Sequence, residues 1–165
     1  MWSGIGGAKI AGVCNRLIRF RKNKACPTTL ILHLGTNDIF ASKIHEIRQQ
    51  VSLTLTEISN LFPMTRIIWS MILPRRYFDR EQVKGAGAAA IRNINKHATR
   101  AARSMGIRVI FHARVFPLSS CHLFARDGLH PSEEGLNVFR KHLEEALVFF
   151  NTFPGQLEYP ELSSS

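Results

Sequence analysis

Acidic residues are scarce in this chain: 12 Asp and Glu stand against 22 Lys and Arg in 165 residues, leaving a formal charge of +10. Such a surface disfavours cationic partners and favours anionic ones, whether nucleic acid, phospholipid headgroups or acidic substrates. Cysteine is scarce too. Cys14, Cys26 and Cys121 lie far apart and make no CxxC pair backed by a second, which argues against both a disulfide framework and a zinc site. No window reaches the roughly eighteen apolar residues of a membrane span. The first twenty residues place Gly4, Gly6 and Gly7 ahead of Asn15, Arg16 and Arg19 and lack the apolar core of a cleavable signal. An intracellular, cytoplasmic and reducing location is therefore expected.

With 45% apolar residues the chain can bury one sizeable core, and one domain over 1–150 is expected, followed by a disordered tail over 151–165 that contains three turn-formers and a serine run. Residues 28–34 (TTLILHL) are apolar on both faces and stop at Gly35, the pattern of a buried parallel strand. From Lys43 to Phe62, Ile44, Ile47, Val51, Leu55, Ile58 and Phe62 recur at three- and four-residue steps and predict a helix ended by Pro63. Residues 66–73 (RIIWSMIL) predict a second strand. A third periodic run, from Val83 through Ile91, Ile94 and Ala98 to Met105, ends at Gly106. Residues 108–112 (RVIFH) predict a third strand. After an irregular loop, Ser132 is the expected N-cap of a last helix with Leu136, Phe139, Leu143, Leu147 and Phe150 on its buried face. This alternation predicts a three-layer α/β/α domain with a parallel sheet of about three strands and four helices. Three strands are few for such a sheet, so the fold reads as truncated at its N-terminus.

Two short motifs carry chemistry. Gly35-Thr36-Asn37-Asp38 follows the first strand at its carboxyl end, where open parallel sheets place ligands, and an Asn there can aim its amide at a developing oxyanion. The bland alternative is a polar turn capping the next helix. Asp127-Gly128-Leu129-His130 puts a carboxylate three residues before an imidazole, close enough to fold back and fix its tautomer. The bland alternative here is a surface turn.

Taken together, a strand running into GTND and, some ninety residues on, DGLHP before a terminal amphipathic helix resemble the SGNH hydrolases, also called GDSL-type esterases and lipases. The resemblance implies a flavodoxin-like layering, a triad acid and base at Asp127 and His130, and an oxyanion-hole amide at Asn37. It further implies a backbone oxyanion donor in Ser3-Gly4-Ile5-Gly6-Gly7, best matched by Gly7, thirty residues ahead of Asn37. The Gly-Asp-Ser turn that carries the family's nucleophile has no counterpart, and no nucleophile is assigned. Ser3 lacks a strand to hold it, Ser70 falls inside a strand, and Ser119-Ser120 fall in a loop. A small acyl ester is the implied substrate, without metal or organic cofactor, and these residues by themselves are expected to be impaired or inactive. Phe78 and Phe116 hint at apolar pocket loops.

A different class of function rests on charge. Arg92, Lys96, Arg100 and Arg103 follow helical steps along a single face and could track phosphates, although a helix packed on a sheet must expose a polar face in any case. The phrases LILHLGTNDI, WSMILPRR and FARDGLHPSEEG resemble esterase-like domains encoded in vertebrate retroelements, which keeps a basic nucleic-acid-binding accessory domain open. A fragment without function of its own is the third reading.

Overall fold

The computed structural model describes residues 7–77 and 85–160. Ser3, Gly4, Phe78 and Val83 lie outside the described residues. Four helices and four strands alternate: α1 (Val13–Asn23), β1 (Thr29–His33), α2 (Ile44–Leu61), β2 (Arg66–Ser70), α3 (Ala86–Ser104), β3 (Arg108–Ile110), α4 (Glu133–Thr152) and β4 (Glu158–Tyr159).

The sheet order is β1-β2-β3-β4, and every pairing is parallel. Alternation along the strands sends successive side chains to opposite faces, so each strand feeds two cores. Leu30, Leu32, Ile67, Trp69 and Val109 join α1, α2 and α3 on one side. Ile31, Ile68 and Ile110 join Phe139, Leu143, Ala146 and Phe150 of α4 on the other. Trp69, Ile68 and Ile110 are fully buried between these layers. The expected three-layer α/β/α architecture is present, and among the described residues β1 is an edge strand whose Leu30 and Ile31 are only half-buried.

Three expectations are corrected. The tail is not disordered over 152–160: α4 runs on to Thr152, and after a turn Glu158 and Tyr159 add a fourth strand beside Val109 and Ile110. The reason is energetic, since β3 would otherwise be an edge, and Val109 and Phe111 donate their N–H groups to the carbonyls of Leu157 and Tyr159 at 2.8 and 2.7 Å. The buried face of α4 is also rotated from the expected stripe. Gly135, Phe139, His142, Leu143, Ala146 and Phe150 point inward, whereas Leu136 is 52% exposed. Phe116 belongs to the core, packed edge-on against Phe124 at 5.1 Å between centroids, and lines no pocket loop.

Candidate functional site

The candidate residues sit in two turns, one directly after β1 and one in the loop between β3 and α4. Beyond β1 the chain turns at Gly35 into one 3-10 turn, Thr36–Asp38. Asp38 is buried and its Oδ2 accepts the Ile10 N–H at 3.2 Å, which ties the start of the described chain to this turn. Burial raises the Asp38 carboxyl above the usual range, and the Ile10 N–H partly offsets this. Next to it Asn37 is exposed, and its Nδ2 donates to the Ala8 carbonyl at 3.0 Å. Gly7, exposed in a turn at φ 69°, is the residue before that acceptor. Asn37 is thus bonded to the residue after Gly7, and among the described residues the second N–H of its amide makes no hydrogen bond.

The other motif closes on itself. His130 Nδ1 and Asp127 Oδ2 are 2.7 Å apart, while Asp127 Oδ1 accepts the N–H groups of Leu129 and His130 at 2.9 and 3.0 Å. These bonds, that of the His130 side chain first, pull the Asp127 carboxyl down to about 2. An ionised carboxylate on Nδ1 makes that nitrogen the donor, so Nε2 is left as the proton acceptor. The His130 side chain is 70% exposed.

Backbone contacts fix where this turn sits. Gly128, left-handed at φ 64°, offers its carbonyl to the N–H groups of Arg76 and Tyr77, at 3.0 and 3.2 Å, in the segment following β2. A side chain there would press within 3.2 Å of the Tyr77 Cβ, so glycine suits both the conformation and the contact. On the far side, Ser132 caps α4 by accepting the Gly135 N–H at 3.0 Å, and its own hydroxyl donates to the His122 carbonyl at 2.5 Å. Gly7–Asn37 therefore lies just beyond the carboxyl end of β1, while Asp127–His130 lies in the loop between β3 and α4 and is fastened to Arg76 and Tyr77 in the segment after β2. Among the described residues no hydrogen bond joins one pair to the other.

A further polar row lies beneath α4 and was not anticipated as a unit. The Ser70 hydroxyl bridges His33 Nδ1 at 3.0 Å and His112 Nε2 at 2.8 Å, and His142 Nε2 donates to the Phe111 carbonyl at 2.8 Å. Burial pushes His33 down to about 4 and His112 down to about 2, so both are neutral near pH 7. Ser70 is 0% exposed, which denies a substrate access to its hydroxyl despite two imidazole neighbours. The row is structural. Among the described residues no group of three His, Cys, Asp or Glu is placed to hold a metal ion, and no helix is long and apolar enough to cross a membrane.

A Streptococcus pneumonia protein named for platelet activating factor superposes with a TM-score of 0.72 at 22% identity, over 89% of this chain and 72% of its own. A GDSL-like lipase from Bacteroides thetaiotaomicron gives 0.69 at 20% identity, over 89% and 74%. A psychrotrophic esterase from Pseudoalteromonas gives 0.65 at 16%, over 88% and 74%. These likenesses establish the fold, and the chain spans about three-quarters of each solved structure. A search of curated protein sequences finds no match. The family described as GDSL-like lipase/acylhydrolase matches residues 2–137, nearly the whole stretch from the glycine-rich start to the first turn of α4, and the chain belongs to that family.

Proposed function

We propose that this domain carries the acid–base and oxyanion-binding half of an acyl-ester hydrolase. The observation that carries the reading is the 2.7 Å contact between His130 Nδ1 and Asp127 Oδ2, which leaves Nε2 of the exposed ring as the proton acceptor. In this reading Gly7 N–H and the free Asn37 amide proton receive the oxyanion as the acyl carbon becomes tetrahedral. The nucleophile is the open position. Ser70 is sealed in the core, and among the described residues the hydroxyls of Ser119 and Ser120 make no hydrogen bond to an imidazole or carboxylate. With these residues alone, water is the attacking group. His130 takes its proton, the oxygen bonds to the acyl carbon, and collapse of the intermediate expels the alcohol, which recovers the proton from the imidazolium. Removing the serine step leaves only a small part of such catalysis, so slow turnover is expected.

The test is p-nitrophenyl acetate hydrolysis by the wild type, His130→Ala and Asn37→Ala. A wild-type rate above both variants supports the reading, and three equal rates reject it. The retroelement-like phrases and the exposed cations of α3 support a rival, a basic nucleic-acid-binding accessory domain in a reducing compartment. Salt-sensitive oligonucleotide binding without ester turnover would favour that rival.

A further inference from the structure

Apart from both motifs, a groove of about 570 Å³ opens between α3 and the segments that leave β2 and β3. Its floor is apolar, since Met71 and Ile72 follow β2, Ile91 comes from α3 and Phe111 follows β3, and polar side chains of α3 stand beside them. Such a volume lies in the range that holds small organic ligands, about 300–1,000 Å³.

One wall is strongly cationic. Arg92, Lys96 and Arg100 line the groove from successive turns of α3, and all three are exposed. Steps of four residues set them roughly 6 Å apart along the helix. No acidic residue occurs anywhere in α3, and none of the three cations makes a hydrogen bond or ion pair among the described residues. Their neighbour Arg103 differs, since it is bound to Glu158 of β4. The wall is also braced: Asn95 donates to the Ile72 carbonyl and accepts the Ile72 N–H at 3.1 and 3.0 Å, which locks α3 to the exit of β2. A solvated helix face has no need of an apolar trough beside it. Apolar floor and unneutralised cationic rim together match a ligand with the same two parts.

We propose that this groove binds an anionic amphiphile, a single acyl chain ending in a carboxylate or phosphate, with its tail along Met71, Ile72, Ile91 and Phe111 and its head held by Arg92, Lys96 and Arg100. The guanidinium forks suit either head group, and the tail replaces water over carbon surface. Nucleic acid fits less well, because the two aromatic rings in the lining, half-buried Phe111 and buried His112, offer no exposed stacking platform. The inference does not depend on the hydrolase reading.

Titration calorimetry below the micelle concentration tests it, using laurate and dodecyl phosphate, with dodecyl maltoside as the uncharged amphiphile and inorganic phosphate as the tail-less anion. One-to-one binding of laurate, dodecyl phosphate or both is expected, and which of them binds identifies the head group. Affinity should fall about tenfold or more, or ~1.4 kcal/mol, in Arg92→Ala/Lys96→Ala/Arg100→Ala. Exposed Ala113 also lines the groove, so Ala113→Trp should block the tail with every cation retained. Unchanged circular dichroism and melting temperature in both variants assign the loss to the groove. Absence of binding by both anionic amphiphiles, equal binding of dodecyl maltoside, or affinities indifferent to both variants would overturn the proposal. So would a twelve-nucleotide strand that binds through the three cations while laurate and dodecyl phosphate do not.

Discussion

The carbonyl oxygen of Leu123 lies 2.1 Å from where a Cβ on Gly135 would stand. No side chain fits at that separation, and the obstacle is backbone on one side and helix on the other. Gly135→Ala must therefore push the first turn of α4 away from the Cys121–Leu123 turn. A loss of about 1–3 kcal/mol is expected from such overpacking, read as a lowered urea midpoint. The same displacement would loosen Ser132, whose N–H donates to the Leu123 carbonyl at 2.9 Å, and with it the Asp127–His130 turn. A cooperative transition in the wild type is part of this expectation and would argue against a fragment without stable structure.

Ser70→Ala probes the row beneath α4. The change removes one hydroxyl and strands His33 Nδ1 and His112 Nε2 together, where His112 Nδ1 already has no partner among the described residues. Leaving buried imidazole nitrogens unpaired costs about 1–3 kcal/mol, which equilibrium unfolding would register. Ester turnover should be untouched, because the hydroxyl has no route to solvent. A Ser70→Ala protein of wild-type stability would show that the bridge contributes nothing.

What could be read from residue order alone follows the range of each interaction. The Asp127–His130 contact spans three residues, and its turn chemistry lies within four letters. The periodic helices and apolar strands were equally plain, because burial leaves a period of 3.6 or an unbroken run. The fourth strand was hidden: two residues, Glu158 and Tyr159, between Gly155 and Pro160 carry no period and look like turn. The polar row was hidden for another reason. His33, Ser70 and His112 each look like an isolated polar residue near the end of an apolar run, and only the parallel register, which sets His33 beside Ser70 and Ser70 beside Ile110, makes them neighbours. The tie between Asn37 and Ala8 depends on a chain reversal across 29 residues that no local pattern encodes.

Mild acid should destabilise the fold through its buried imidazoles, an effect that the raised Asp38 carboxyl offsets in part. His33 and His112 are held neutral, with their ordinary value of 6.5 pushed down to about 4 and about 2. Below pH 6.5 the unfolded chain therefore takes up protons that the folded chain refuses, and stability falls with pH. It is full above about pH 6.5; the His33 share is gone near pH 4, and the His112 share continues to fall toward pH 2. Asp127 acts later, since a carboxyl lowered from 3.8 to about 2 adds stability that is lost only across that interval. Urea midpoints measured from pH 7.5 to 4.5 should decline steadily, and His33→Asn should flatten the decline. A midpoint constant across that range would mean that the imidazoles titrate normally.

Asp127→Asn separates the turn from the chemistry. An amide oxygen can still accept the Leu129 and His130 N–H groups that now reach Asp127 Oδ1, so the loop should keep its shape, with at most a small fall in the unfolding midpoint from the lost carboxylate charge. The Oδ2 position, however, becomes either a neutral acceptor or an N–H group, and the charge that fixes Nδ1 as the donor is lost. His130 can then present a protonated Nε2, which is useless as a base. Turnover of p-nitrophenyl acetate should fall to the His130→Ala level while circular dichroism stays that of the wild type. An Asp127→Asn protein as active as the wild type would mean that the 2.7 Å contact shapes the loop and has no part in hydrolysis.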